Sequence, residues 1–122
     1  MMRTPASAAS TLIQTALVGE ALEKGPALVF VADDDMRYIA VNAFACDALG
    51  YTRAELLGLG VSDVARDPNA AKEYEEMLAS GSRHGETNLT RKDGSEVAFF
   101  YRAAKTVVAG IELFVAVGFL DA

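Results

Sequence analysis

Cysteine occurs once in this chain, at Cys46, and histidine once, at His84. A lone thiol cannot close an internal disulfide, and it suits a reducing compartment. Metal centres need several ligands at suitable spacing, and none is visible, so no metal is expected. Basic residues are scarce as well. Eleven Lys and Arg stand against 17 Asp and Glu, a net charge of −6. Phosphate binding needs a basic surface, so direct contact with nucleic acid is not expected. Long apolar runs are missing too. The longest, "VVAGIELFVAVGFL", is interrupted by Glu112 and is too short to cross a bilayer as a helix. The start, "MMRTPASAAS", has no continuous apolar stretch and does not read as a signal peptide. The expectation is a soluble, cytoplasmic protein without a membrane partner. Gly-x-Ser-x-Gly, P-loop and Gly-x-Gly-x-x-Gly patterns are all absent, so the chain is not expected to be an enzyme and no catalytic residue is assigned.

What is present suits one α+β domain. The 122 residues fit a single core, and a hydrophobic fraction of 52% leaves apolar surface to spare. After a small polar tail, a helix is expected from Ser10 or Thr11, with Thr11 and Gln14 at capping-box spacing and Gly25-Pro26 as the stop. Its apolar residues Leu12, Ile13, Leu17, Val18 and Leu22 spread around most of the circumference, so it wants apolar neighbours on more than one side. "ALVFVA" (27–32) and "RYIAV" (37–41) read as a hairpin around the "DDDM" turn. The three aspartates read as solvated turn residues rather than as a metal site. "AFACDAL" is a short helix closed by Gly50. Thr52 and Glu55 form a second capping box, with Tyr51 and Leu56 at staple positions, and Ser62 to Ala65 make one more turn. Asp67-Pro68 opens a longer helix to Ser80, with Ala70, Tyr74, Met77 and Leu78 on its apolar face and Glu73, Glu75 and Glu76 solvated. Three strands follow, "GETNLTR", "SEVAFFYRAAKTV" and "IELFVAVGFL". Clustered strands and segregated helices imply an antiparallel sheet covered on one face.

Asp33 after the first strand, Asn42 after the second, "LGYTRAELLG" (49–58) and "RKDGSEV" (91–97) together resemble the PAS domain family over about residues 26 to 120. The resemblance implies a five-stranded antiparallel sheet in the order 2-1-5-4-3, short helices enclosing a pocket on one face, and a division into a tail with a flanking helix (1–25) and a PAS domain (26–122). It also implies a sensory or dimerisation module of a signalling or transcription-regulatory protein. Its output domain, attached or separate, is not identifiable from these residues.

Two cofactor branches of that family are disfavoured residue by residue. In the light-sensing LOV branch a reactive cysteine follows the capped short helix, and that position is Val61 here. The flavin-contacting polar positions fall on Leu89, Phe99 and Gly118, which offer no side-chain hydrogen bond. The haem branch takes a histidine from the long helix, which here has none; His84 lies just beyond it and reads as solvated. Neither flavin nor haem is expected. Cys46, on the first short helix, reads as a small buried hydrophobe without a cationic neighbour to activate it.

A pocket remains. Strand alternation puts Phe99 and Tyr101 on one face with Val97 and Ala103, and the family register turns that face inward. The inward set then includes Phe30 and Ala32, Leu89, Phe114, Ala116 and Gly118, joined by Ala45, Ala48 and Leu49 from the helices. The expected ligand site is Phe30, Ala45, Ala48, Leu49, Leu89, Phe99, Tyr101, Phe114, Ala116 and Gly118. It suits a small apolar organic molecule, with Tyr101 as its single polar handle and no cation. The competing reading is that the aromatics fill the space and the module acts only through protein contacts. On the opposite face Phe100, Val115 and Val117 are expected to form a homodimer interface with Leu12, Ile13 and Leu17 of the first helix, because an open apolar sheet face needs a cover.

Overall fold

The computed structural model describes residues 8–66 and 68–121, without the side chains of residues 8, 9, 70, 71, 74 and 78. The chain runs α1 (Ala8–Glu23), β1 (Leu28–Ala32), β2 (Tyr38–Val41), α2 (Ala43–Leu49), α3 (Arg53–Leu57), α4 (Val61–Val64), α5 (Ala70–Ser80), β3 (Ser82–Thr90), β4 (Glu96–Val108) and β5 (Ile111–Leu120). All strand pairings are antiparallel, and the order β2-β1-β5-β4-β3 is the one the resemblance implies. The α+β architecture with an N-terminal helix is as expected.

Local chemistry accounts for most boundaries. Asp33 Oδ1 accepts from the backbone N–H of Asp35 and Arg37 at 2.9 and 3.0 Å, which closes the β1–β2 turn. Thr52 and Glu55 bond reciprocally as a capping box at the start of α3. At the β4–β5 turn Ala109 and Gly110 both have positive φ, the signature of a tight hairpin. The "RKDGS" turn does more than reverse the chain. Asp93 accepts from Ser95 at 2.9 Å through the backbone and 2.6 Å through the hydroxyl, which fixes the hairpin. Lys92 N donates to Leu49 O at 2.9 Å and Arg91 Nε to Ala48 O at 3.2 Å, satisfying carbonyls at the end of α2. Lys92 Nζ also reaches Glu55 at 2.6 Å, so α2, α3 and the β3–β4 turn meet at one junction.

Asn42 is the corresponding joint at the other end of α2, and it is buried. Its side-chain oxygen accepts from Val29 N and from Ala45 N, each at 3.1 Å. Its amide donates to Leu22 O at 2.6 Å and to Ala27 O at 2.8 Å. One side chain thus ties together the end of α1, strand β1 and the first turn of α2. Glu23 and Arg53 form an ion pair beside it, and Glu23 also accepts from Ala43 N. Gly25 is required next to this joint. Its φ is +111°, and a Cβ there would lie 2.5 Å from the Phe44 ring.

Three details differ from expectation. Helix α1 starts at Ala8, two residues or more before the expected cap. Helix α5 begins at Ala70 with Asn69 as its cap, while Pro68 sits in a turn; the expected cap, Asp67, lies outside the described residues. Strand β3 starts at Ser82 rather than Gly85, so Ser82, Arg83 and His84 are strand and not loop. The 13 residues of β4 offer a long edge to pair with, and that pairing outweighs the weak β propensity of a polar segment. Within one chain, α1 leaves the outer sheet face uncovered. Leu12 is 70% exposed, and Phe119 on the outer sheet face is 57% exposed. Among the described residues no helix is long and apolar enough to cross a membrane.

Candidate functional site

Alternation along the strands sends Phe30 and Ala32, Thr87 and Leu89, Val97, Phe99, Tyr101 and Ala103, and Phe114 and Ala116 toward the helices. The register brings small residues together: Ala103 opposes Ala116, which also opposes Phe30. Rings flank this patch. Phe30 meets Phe99 edge-on at 5.7 Å, and Phe99 stacks on Tyr101 at 5.7 Å with 15° between planes. Between the alanines and helix α5 a cavity of about 100 Å³ remains, open to solvent on one side. Its floor is sheet, its roof is Met77 of α5 with Val61 and Ala65 around α4, its rim carries Glu73 and Arg83, and Thr87 stands in its wall.

Six of the ten residues expected at the ligand site line this cavity: Phe30, Leu89, Phe99, Tyr101, Phe114 and Ala116. Four do not. Ala45 and Leu49 are fully buried in the packed core under α2. Ala48 packs on the edge of that core, at the junction held by Arg91 and Lys92. Gly118 is covered by the Phe99 ring, which would lie 2.7 Å from an added Cβ. The reason is common to the three helical residues. Helix α2 closes one half of the inner face by direct packing, so the free volume shifts toward α5 and the β3 edge. The side chains of Tyr74 and Leu78, which the sequence puts on the apolar face of α5, lie outside the described residues.

The rim corrects a second expectation, that the site holds no cation. Arg83 Nε donates to the Tyr101 hydroxyl at 3.1 Å, while its two terminal nitrogens reach Glu76 at 2.8 Å and Glu73 at 3.2 Å. Glu73 is half-buried at the cavity and is not the solvated residue its helix position suggested. The Tyr101 hydrogen bond, ahead of the two glutamates, holds the Arg83 proton more firmly than usual. Arg83 was hidden because its segment read as a polar loop. Thr87 was legible, since it stands two residues before Leu89 and therefore on the same face. Its Oγ1 is the one buried side-chain oxygen or nitrogen without a hydrogen-bond partner among the described residues.

The other candidates lie away from this site. Cys46 is buried in the α2 core, and that burial, more than any neighbouring charge, pushes its thiol pKa up. His84 is exposed and alternates onto the sheet face opposite the cavity. Asp33, Asp34 and Asp35 bring three carboxylates within 4.8 Å at the β1–β2 turn. Asp33 uses its oxygen to hold that turn. Of the residues expected at a dimer interface, Leu12, Ile13, Leu17, Phe100 and Val117 are exposed. Val115 is half-buried and also borders the cavity.

A family model described as "PAS domain" matches residues 26–120. A search of curated proteins finds no match to the chain. Solved structures share the fold at low identity. A PAS domain from a two-component sensor histidine kinase superposes with a TM-score of 0.81 at 14% identity, over 91% of this chain and 99% of that one. The PAS domain of an HTR-like protein from Haloarcula marismortui gives 0.77 at 22% identity, over 91% and 94%. An RNA-binding light-oxygen-voltage receptor gives 0.77 at 17% identity, over 98% of this chain and 37% of that one.

Proposed function

The chain belongs to the PAS domain family as a sensory domain, and we propose that it senses a small apolar organic molecule bound non-covalently in the cavity beneath α5. The observation that carries this reading is the cavity itself: an alanine floor among phenylalanine and tyrosine rings, about 100 Å³ in volume and open at one side. An apolar cavity of about 150 Å³ is enough to bind benzene, so an occupant here is about one small ring. A flavin, with three fused rings, or a haem would take up more space than that, which favours an occupant other than either. Val61 at the cavity has no thiol, Cys46 is packed elsewhere, and His84 faces away. We therefore propose a domain that uses neither cofactor and has no catalytic role of its own. It would act in the cytoplasm as part of a signalling or transcription-regulatory protein, passing its state to an attached or partner effector.

Native mass spectrometry of freshly purified protein tests this, because a retained molecule adds mass to the folded species. The paired variant is Ala116→Leu, whose side chain would fill the cavity floor. A ligand at a hundred times its dissociation constant should stabilise the wild type by about 2.7 kcal/mol, which is roughly 10 °C in melting temperature. Ala116→Leu should fold with near-normal stability and lose that shift. A loss of several kcal/mol from overpacking, with no compound in a broad apolar library moving the wild-type melting point, would mean that there is no usable cavity. The ligand-free interaction module would then be the better reading. The observation that favours it is the small size of the cavity beside two large uncovered apolar surfaces.

Those surfaces support a homodimer in either case. Leu12, Ile13 and Leu17 of α1 are exposed, and so are Phe100 and Val117 of the outer sheet face, with Val115 between β5 neighbours. Pairing α1 of one copy with the outer face of another would cover both. A pair of aliphatic side chains buried in such an interface contributes about 3–6 kcal/mol before association costs. Leu17→Glu is thus expected to weaken the dimer by about a hundredfold or more while leaving the circular dichroism spectrum unchanged. Light scattering checks it. A wild-type protein that stays monomeric at high micromolar concentration would end the proposal.

A further inference from the structure

We infer that the molecule bound in this cavity carries an oxygen that accepts a hydrogen bond, which Thr87 and Tyr101 recognise together. This rests on the ligand-binding reading above and narrows it from an apolar molecule to an oxygenated one, such as a small ketone or a phenol. Two observations carry it. The first is Thr87 Oγ1, buried at the cavity wall and without a partner. A buried hydroxyl left unpaired lowers stability, and native proteins keep few of them without a reason. The second is the way Tyr101 is engaged. Arg83 Nε donates to its oxygen at 3.1 Å, which takes up an acceptor lone pair and leaves the phenolic proton to be given elsewhere. Arg83 is itself held by Glu73 and Glu76, so it is fixed in this role.

The two hydroxyls lie on neighbouring strands of the same face. Thr87 opposes Phe99 and Gly85 opposes Tyr101, so Thr87 is two residues along β3 from the position facing Tyr101. Gly85 leaves open the space over which the Tyr101 oxygen sits; a Cβ there would come 4.0 Å from it. A ring resting on the alanine floor with its oxygen turned toward β3 would accept from Tyr101 and pair with Thr87. The charge at the rim argues against an acid. One guanidinium is matched by two carboxylates, so an anionic ligand would gain no net attraction there.

The test uses three probes of about one ring each: toluene, phenol and cyclohexanone. Binding is titrated by ligand-observed NMR to the wild type, to Thr87→Val and to Tyr101→Phe. Both substitutions keep the shape and remove one hydroxyl. The expected result is that phenol and cyclohexanone lose about fivefold to tenfold in affinity in each variant, while toluene keeps or gains affinity. The comparison between variants cancels the different hydration of the probes. Thr87→Val should also melt about 3–6 °C above the wild type without ligand, because it removes an unpaired buried hydroxyl. If all three probes bind the wild type and neither variant changes the oxygenated ones relative to toluene, this inference is overturned and the apolar cavity stands. If no probe binds the wild type, the ligand-binding reading itself falls. One-dimensional proton spectra establish that each variant is folded, and either variant alone decides the outcome if the other is not.

Discussion

Asn42→Ala is expected to lower stability by about 3–5 kcal/mol, a large part of what a domain of this size has. The side chain makes four hydrogen bonds, all to backbone groups: Val29 N, Ala45 N, Leu22 O and Ala27 O. With alanine the Leu22 carbonyl would keep its bond from Gly25 N at 3.1 Å, while the other groups lose a partner, at a cost of about 1–3 kcal/mol for each one that water cannot reach. The loss of the α2 cap alone accounts for about 1 kcal/mol. Asn42→Asp makes the argument sharper, because aspartate is an equally good helix cap. Its carboxylate could still accept from Val29 and Ala45, but its second oxygen would face the carbonyls of Leu22 and Ala27 with no proton to give. The variant should therefore be nearly as unstable as Asn42→Ala near neutral pH. Its folded-state pKa would be raised above the unfolded value of about 3.9. The stability it regains by protonation is complete below that value and is lost as the pH rises through the folded pKa. Urea melts at several pH values check both parts. A cost below about 1 kcal/mol for Asn42→Ala would show that the four bonds are not a joint.

Asn42 also shows how far the sequence could be read. Its place after the second strand is visible, and with "LGYTRAELLG" and "RKDGSEV" it is enough for the family, the fold and the strand order. The words themselves turn out to be joints: Asn42 binds α1, β1 and α2, and Lys92 binds α2 to α3. Capping boxes, turn residues and alternation are local rules, so they survive without knowledge of the tertiary contacts. Packing between elements does not. Whether α2 or α5 leaves the empty volume depends on how closely each helix settles on the sheet. The sequence therefore places Ala45, Ala48 and Leu49 at the ligand site, whereas the cavity under α5 does not include them. The start of β3 depends on its partner strand, and so Arg83 and its bonds to Tyr101, Glu73 and Glu76 were out of sight.

Gly118→Ala is expected to cost about 2–4 kcal/mol, which is far more than one methyl group on a strand usually does. The sequence places this glycine in the expected ligand site. The room is already taken. A Cβ at position 118 would lie 2.1 Å from the Phe100 carbonyl oxygen and 2.7 Å from the Phe99 ring. A ring can turn away at modest cost, but a backbone carbonyl within a sheet moves only with its strand. Gly118 pairs with both Leu28 and Tyr101, so displacing β5 there disturbs strands on either side. The effect should extend to the cavity, because Phe99 stacks on Tyr101 and forms part of the wall. Gly85→Ala is the matched control. It is a second inner-face glycine beside the same tyrosine, and the nearest atom to its Cβ would be the Tyr101 oxygen at an ordinary 4.0 Å. It should change stability by less than about 1 kcal/mol, with alanine fitting a strand slightly better than glycine. Equal effects of the two substitutions in urea melts would mean that Gly118 is not held by close packing, and that the inner face has free volume on this side as well.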